Sequence, residues 1–299
     1  MKRRTFLKSS LASLALVAAG STDLFRLGKY DFISPARAAD FTVPLPIPPL
    51  LNNLDENGDT ATFNMNVEKG SREFFPGIPT ATLGYNGNYL GPTIRVRKGQ
   101  RFRANVNNTL PAVTTLHWHG LHVPAQWDGG PRQPIQAGTA WNPDFTIRQE
   151  AATLWYHPHA MGLTGEQVYQ GLAGLFYIED EVSDSLNLPK TYGIDDIPLV
   201  IQDRRFLNNG QFAYIQNMHD VMNGVIGNYL LVNGVIQPIL TVHGGMVRLR
   251  LLNGSNSSIY RIGFSGKRSF QVIASDGGFL QRPVAMDSIV LSAGERVEV

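Results

Sequence analysis

The sequence predicts a mainly β protein. Thirty glycines and eighteen prolines divide the chain into short segments. Between them, valine, isoleucine, threonine and aromatic residues, which favour strands, are frequent. Because 43% of the residues are hydrophobic, the chain can fill a sizeable core, and its length is typical of about two domains.

The expected strands follow from apolar and polar residues that alternate with a period of two. The first such segment is 60–68, and further strands are expected at 94–97 and 102–106. Asn86-Gly87 predicts a hairpin turn, because this pair tolerates the positive φ angles of a tight turn. The segment 117–119 falls where the next strand should begin.

An internal repeat predicts the domain organisation. A segment that runs from Pro92 to Gly99 leads to Asn107, and a similar segment that runs from Pro238 to Gly245 leads to Asn253 at the same spacing. We therefore expect two tandem copies of one β-domain, at 40–185 and 186–299. Aligned on the first copy, the second ends before its last strands and is expected to be truncated, because an open sandwich would leave an unpaired edge.

The N-terminal residues 1–39 have the composition of an export signal. Arg3-Arg4 precedes an apolar run at 11–19, as in bacterial twin-arginine signals. The run is too short to span a bilayer, so no stable membrane span is expected. A small-residue cleavage site is expected at 36–38, with an uncleaved anchor as the alternative. We therefore predict a periplasmic or otherwise exported protein.

The charge balance and the absence of cysteine exclude several classes of function. Of the 26 basic residues, seven lie in 1–39, and the remainder of the chain is slightly acidic, so a nucleic-acid surface is not expected. Without cysteine the chain forms no disulfide, Fe–S site or blue-copper thiolate site.

Two His-x-His pairs, His117/His119 and His157/His159, predict one metal site. In a strand, residues i and i+2 point to the same face about 6.5 Å apart, so each pair presents two imidazoles side by side. Four imidazoles without thiolates or clustered carboxylates suit copper, zinc, iron or nickel, and copper is favoured because structural zinc sites usually include cysteine. His122, His219 and His243 have no partner at ligand spacing and are expected to be ordinary polar residues.

Five stretches together carry a family resemblance: Leu116–Leu121, Asp128–Pro131, Trp155–His159, Gly171–Leu175 and Val272–Gly278. With them the sequence resembles the multicopper oxidases, in particular the bacterial laccase, cuprous oxidase and bilirubin oxidase-like group. The resemblance implies tandem cupredoxin-like Greek-key β-sandwiches. In that family, three such domains hold a type 1 copper and a trinuclear copper cluster.

The resemblance also implies the role of each site residue. His117 would be a type 2 copper ligand, and His119, His157 and His159 would ligate the type 3 pair. Asp128 would orient water and relay protons beside the cluster, although an Asp-Gly turn residue is the alternative. The remaining cluster ligands and the type 1 copper would belong to a third domain that has no counterpart in this chain.

The implied function is a multicopper oxidase that couples one-electron oxidation of phenolic, bilirubin-like or Cu(I) substrates to the reduction of O2 to water. Its partners would be O2 and the electron donor, and the full-length protein would be a monomer. One alternative is a non-enzymatic copper-binding or cell-division-associated protein on the same fold, although such relatives usually lose the cluster histidines. Another is assembly of the cluster across subunits. Trp118, Trp155 and Met161 are expected to pack beside the site rather than react.

Overall fold

The computed structural model describes residues 43–55 and 58–299. The predicted export signal at 1–39 therefore lies outside the described residues. Within them, strands predominate and the helices are short, which confirms the predicted all-β class. None of the described helices is both long and apolar enough to cross a membrane.

The secondary structure divides into two successive groups of strands. The first group comprises β1 (Thr60–Phe75), β2 (Ile78–Tyr85), β3 (Ile94–Arg97), β4 (Arg101–Asn108), β5 (His117–His119), β6 (Ala140–Trp141), β7 (Asp144–Thr146), β8 (Ala152–His157) and β9 (Gly174–Glu179). The second comprises β10 (Asp196–Arg204), β11 (Tyr229–Val232), β12 (Val235–Ile236), β13 (Arg248–Asn253), β14 (Tyr260–Gly263), β15 (Phe270–Ser275), β16 (Gly278–Met286), β17 (Ser288–Leu291) and β18 (Arg296–Glu298). The helices are α1 (Thr164–Gln170), α2 (Glu181–Ser185) and α3 (Met218–Asn223), with 3-10 turns at Ala125–Trp127 and Ser265–Lys267.

The first group of strands forms two sheets, in the orders β2-β1-β4-β6, with β7 also paired to β4, and β3-β9-β8-β5. The predicted alternation in β1 is present, because Phe63, Met65 and Val67 are buried between exposed or half-buried neighbours. β1 extends beyond the predicted end at residue 68, since its second half is held by antiparallel pairing with β2. Pairing can thus extend a strand where the apolar pattern stops.

A dense aromatic core fills the space between these two sheets. Phe102 contacts Trp118 with ring centroids 5.1 Å apart and Phe176 at 5.6 Å. Both phenylalanines and Trp118 are at most 1% exposed. Burial of each such side chain stabilises the fold by about 1.5–3 kcal/mol, so this core fixes the position of β5, on which Trp118 lies.

The sheet that contains β5 and β8 is covered on both faces. Leu154 and Tyr156 of β8 point into the core of the first sandwich. Trp155 points to the opposite face, where it belongs to a buried cluster that also contains Val200 and Leu252 from the second group of strands. All six residues of β8 are therefore buried, which explains why its sequence is not amphipathic.

The second group of strands repeats the arrangement of the first. β10 pairs in parallel with β13, as β1 pairs in parallel with β4. At the ends of β4 and β13, Asn108 and Asn253 each donate from Nδ2 to two backbone carbonyls and accept a backbone N–H at Oδ1. The repeat is thus present, but the residue equivalent to Asn253 is Asn108, and the predicted equivalence with Asn107 is wrong by one position. The domain limits 40–185 and 186–299 stay a prediction.

The hairpin predicted at Asn86-Gly87 does not form, whereas the second Asn-Gly pair, for which no hairpin was predicted, does form one. Asn86 adopts a positive φ of 50°, but it does not join paired strands, because β3 pairs with β9 in the other sheet. Instead, its side chain bonds to the backbone of Asn64 and Asn66 on β1. Asn233-Gly234, with φ angles of 49° and 76°, does connect the paired strands β11 and β12.

Candidate metal centre

The two histidine pairs meet because β5 and β8 are antiparallel neighbours. His117 lies opposite His157, and His119 lies opposite Trp155. Since successive side chains of a strand point to opposite faces, Trp118 enters the core while the two histidines of β5 point to the other face. The sequence period of two thus places His117, His119 and His157 on one face of the sheet.

Three of the four predicted ligands form a compact group. The side-chain nitrogens that His117, His119 and His157 offer all lie within 4.8 Å of one another. His159 lies just outside this group and is exposed, and its ring centroid is 5.2 Å from that of His117. It follows the end of β8, where its backbone N–H donates to Thr115 Oγ1 at 2.5 Å.

Hydrogen bonds fix the proton positions on the three imidazoles. His117 Nδ1 donates to the carbonyl of Asp128, and His157 Nδ1 donates to the carbonyl of Pro158, both at 2.8 Å. The Nε2 atoms of both rings therefore keep their lone pairs. His119 Nδ1 then donates to His157 Nε2, 3.0 Å away. Such outer partners hold ligating histidines in one tautomer and orientation.

Burial keeps two of these imidazoles neutral. Burial, together with the positive charge of Arg296 and the neighbouring histidines, lowers the pKa of His119 to about 4. For His157, burial lowers the pKa to about 3, against the opposing effect of its hydrogen bond to Pro158. Both rings are thus unprotonated at neutral pH, which is the state that a metal ion requires.

Asp128 reaches the site mainly through its backbone. It follows the 3-10 turn Ala125–Trp127, and its carboxylate Oδ1 lies 3.5 Å from His117 Nδ1, with the side chain 41% exposed. Gly129 has a φ of 72°, and a Cβ at this position would lie 1.7 Å from the carbonyl oxygen of Leu116. A glycine is therefore required where the loop crosses the start of β5.

Comparison with known proteins assigns the family. One multicopper oxidase family profile matches residues 66–183, and a second matches residues 192–299. This chain belongs to the multicopper oxidase family.

Individual relatives agree with this assignment. The chain is 41% identical over 252 residues to a multicopper oxidase from Staphylococcus aureus, covering 84% of this chain and 55% of the relative. It is also 41% identical to the cell division protein FtsP from Escherichia coli over 299 residues, covering 100% of this chain and 59% of FtsP.

The fold of a solved relative is also similar. The structure of the laccase-like multicopper oxidase CueO from Ochrobactrum sp. superimposes with a TM-score of 0.81 at 42% identity, covering 86% of this chain and 56% of that one. The predicted cupredoxin-like β-sandwich fold is thereby confirmed. The chain spans little more than half the length of these three proteins.

The histidine group suits the copper cofactor that the multicopper oxidase family is expected to use. Its donors are all imidazoles, and neither a carboxylate nor a thiolate belongs to the group. His157 is 7% exposed and the other two are half-buried, so the site is shielded but reachable. Neutral imidazoles are good ligands for copper.

The structure also adds residues that the sequence did not indicate. Trp155 packs beside the site as expected, and its exact position is new: its ring stacks on those of His157 and His119 with centroids 4.1 Å and 4.9 Å away. Arg296 comes from the second group of strands, so no local pattern links it to His119.

Met161 was expected to pack, but it is 86% exposed. That expectation is wrong, because the chain leaves the sheet after His159.

Proposed function

We propose that this chain supplies half of the ligands of a trinuclear copper cluster in an exported multicopper oxidase. In this proposal His117 binds a type 2 copper, and His119, His157 and His159 bind the type 3 pair. The observation that carries the proposal is the convergence of three hydrogen-bonded imidazoles whose side-chain nitrogens lie within 4.8 Å of one another. His159, whose ring centroid lies 5.2 Å from that of His117, would complete the set.

When bound, the copper ions would supply the electron transfers that join oxidation of a phenolic, bilirubin-like or Cu(I) donor to the reduction of O2 to water. Other residues of the chain would orient the imidazoles and transfer protons to the site. The Asp128 carbonyl orients His117, and its carboxylate is close to that ring and partly open to solvent. It can therefore take protons from bulk water and pass them to the site. The Trp155 ring covers two imidazoles and limits the access of water.

Other parts of the proposal depend on regions beyond the described site. The chain has no cysteine, so the thiolate ligand of a type 1 copper would have to come from outside these 299 residues. Export by the twin-arginine signal at 1–39, domain limits at 40–185 and 186–299, and a monomeric full-length protein complete the proposal.

A non-enzymatic role in cell division is the second candidate. It is favoured by the 41% identity to FtsP, which extends over all 299 residues. In that case the histidine group would bind no copper under physiological conditions. Absence of copper binding at the histidine group would therefore favour the cell-division candidate.

The decisive experiment is a Cu(II) titration of the 299-residue chain, followed by electron paramagnetic resonance. We expect tight binding with hyperfine structure from several imidazole nitrogens. His157→Ala should weaken binding by about 100-fold, whereas His219→Ala, which removes an exposed histidine outside the group, should have no effect. If His157→Ala and His219→Ala bind copper equally, the assignment of the site is wrong and the non-enzymatic candidate is favoured.

A further inference from the structure

The face of β8 that carries His157 is turned toward the second group of strands. Thr153, Trp155 and His157 share this face, because alternate residues of a strand point the same way. Trp155 stacks on the rings of both His157 and His119. It belongs to the same buried apolar cluster as Val200 and Leu252 of the second group of strands. The second half of the chain therefore forms the support behind the histidines.

Thr153 is the polar anchor of this face. It is 1% exposed, and its Oγ1 donates to Glu298 Oε1 at 2.7 Å and accepts from Arg250 Nη1 at 3.0 Å. Its carbonyl oxygen accepts from Arg296 Nε at 3.2 Å. Three charged side chains of β13 and β18 thus hold a single residue of β8.

These charged groups are themselves fixed. Arg250 forms a two-pronged ion pair with Asp196, at 2.7 Å and 2.8 Å, and its guanidinium lies 4.1 Å from the centre of the Tyr177 ring. Glu298 Oε2 accepts from Arg248 Nε at 2.8 Å. All four charged residues are at most 5% exposed. A shift of Thr153 would leave buried charges short of partners, which is strongly unfavourable.

Arg296 bonds to β8 and lies against the residue that follows β5. In addition to its bond to the Thr153 carbonyl on β8, Arg296 approaches Gly120 closely. A Cβ added to Gly120 would lie only 2.8 Å from Arg296 Nη2. Gly120 directly follows His119 at the end of β5. Arg296 is held in turn by an ion pair to Asp276 at 2.8 Å and a hydrogen bond to the carbonyl of Gly294 at 2.9 Å.

We propose that Thr153, Arg250, Glu298 and Arg296 form an interdomain clamp that positions His119 and His157. The second half of the chain supplies none of the proposed ligands, yet through this clamp it sets the spacing of the imidazoles. Thr153 and Arg296 act as positioning residues. The inference rests on the proposed function only in that the positioned imidazoles are those assigned to copper.

The test compares variants of the clamp with a matched interdomain contact elsewhere. Thr153→Val keeps the side-chain shape and removes the hydroxyl, Thr153→Ser restores it, and Arg296→Lys keeps the charge but loses the planar fork. The control is Tyr89→Phe, which removes a buried hydrogen bond from Tyr89 to Gln202. That bond also joins the two halves but touches neither β5 nor β8.

Three measurements are made on the 299-residue chain: the Cu(II) dissociation constant, the paramagnetic resonance spectrum of the copper-loaded protein, and the imidazole nitrogen resonances of the metal-free protein. We expect Thr153→Val and Arg296→Lys to weaken copper binding about tenfold, to change the spectrum and to shift the resonances of His119 and His157. Thr153→Ser and Tyr89→Phe should leave all three near the wild-type values.

Unchanged copper affinity and imidazole resonances in Thr153→Val and Arg296→Lys, with only a lower Tm, would overturn the inference and leave the clamp a stabilising contact. If Thr153→Val does not fold, Arg296→Lys decides by the same readouts. If the wild-type chain binds no Cu(II), the proposed function fails, and the metal-free resonances still decide whether the clamp positions the histidines.

Discussion

Replacing Gly129 by alanine should disrupt the candidate copper site through the backbone. Alanine at a φ of 72° costs about 1–2 kcal/mol in left-handed conformation alone. In addition, its Cβ would lie 1.7 Å from the Leu116 carbonyl oxygen and 3.0 Å from the Cα of His117. The loop and β5 must therefore separate by more than about 1 Å before the contact becomes tolerable.

That movement would break the hydrogen bond from His117 Nδ1 to the Asp128 carbonyl, which is 2.8 Å long. We expect Gly129→Ala to lower the free energy of unfolding by about 3–5 kcal/mol and to weaken Cu(II) binding about tenfold or more, because His117 loses its orienting partner. Urea unfolding and copper titration measure the two effects separately.

Gly138 supplies the matched control. Its φ is also 72°, and a Cβ there would meet no heavy atom within 4 Å. Gly138→Ala should therefore cost only the conformational term, about 1–2 kcal/mol, and leave copper binding unchanged. Equal losses of stability in the two variants, or normal copper binding by Gly129→Ala, would refute the steric argument.

Two further predictions test the fold and the charge state of the site. Asn108→Ala should lower the free energy of unfolding by about 2–4 kcal/mol, because it removes three hydrogen bonds and leaves the buried N–H of Leu110 without its partner. Asn107→Ala should change the free energy of unfolding by less than about 0.5 kcal/mol. Equal effects of the two variants in urea unfolding would contradict the assignment of Asn108 as the equivalent of Asn253. The pKa of His157 falls to about 3 in the folded protein. As pH drops below about 6.5, the unfolded chain therefore binds a proton at this residue that the folded chain does not. The free energy of unfolding should be highest above about pH 6.5 and should fall by about 1.4 kcal/mol per pH unit toward pH 3. His119, with a pKa of about 4, should add a smaller loss of stability because it is partly exposed. The measurement is the urea midpoint between pH 4 and pH 7. If this midpoint depends on pH as steeply in His157→Phe as in the wild-type protein, the attribution to His157 is wrong.

The sequence by itself determined which residues could bind metal and to which class the fold belongs. A period of two is a local property of an extended chain, so His117-Trp118-His119 places two imidazoles on one face whatever surrounds it. Glycine, proline and β-branched residues likewise act within a few positions. The internal repeat could also be recognised in the sequence. However, the first copy has one more residue before the equivalent asparagine, which is therefore Asn108 and not Asn107.

Only the tertiary structure decided how these local features combine. The pairing of His117 with His157 depends on the order of strands in a sheet, and β3 joins that sheet although its preceding turn predicts a hairpin. The Asp128 carbonyl, the Trp155 ring and the Arg296 contact arise between segments far apart in the chain. Such contacts depend on long-range packing and on the satisfaction of buried polar groups, neither of which leaves a periodic pattern in the sequence.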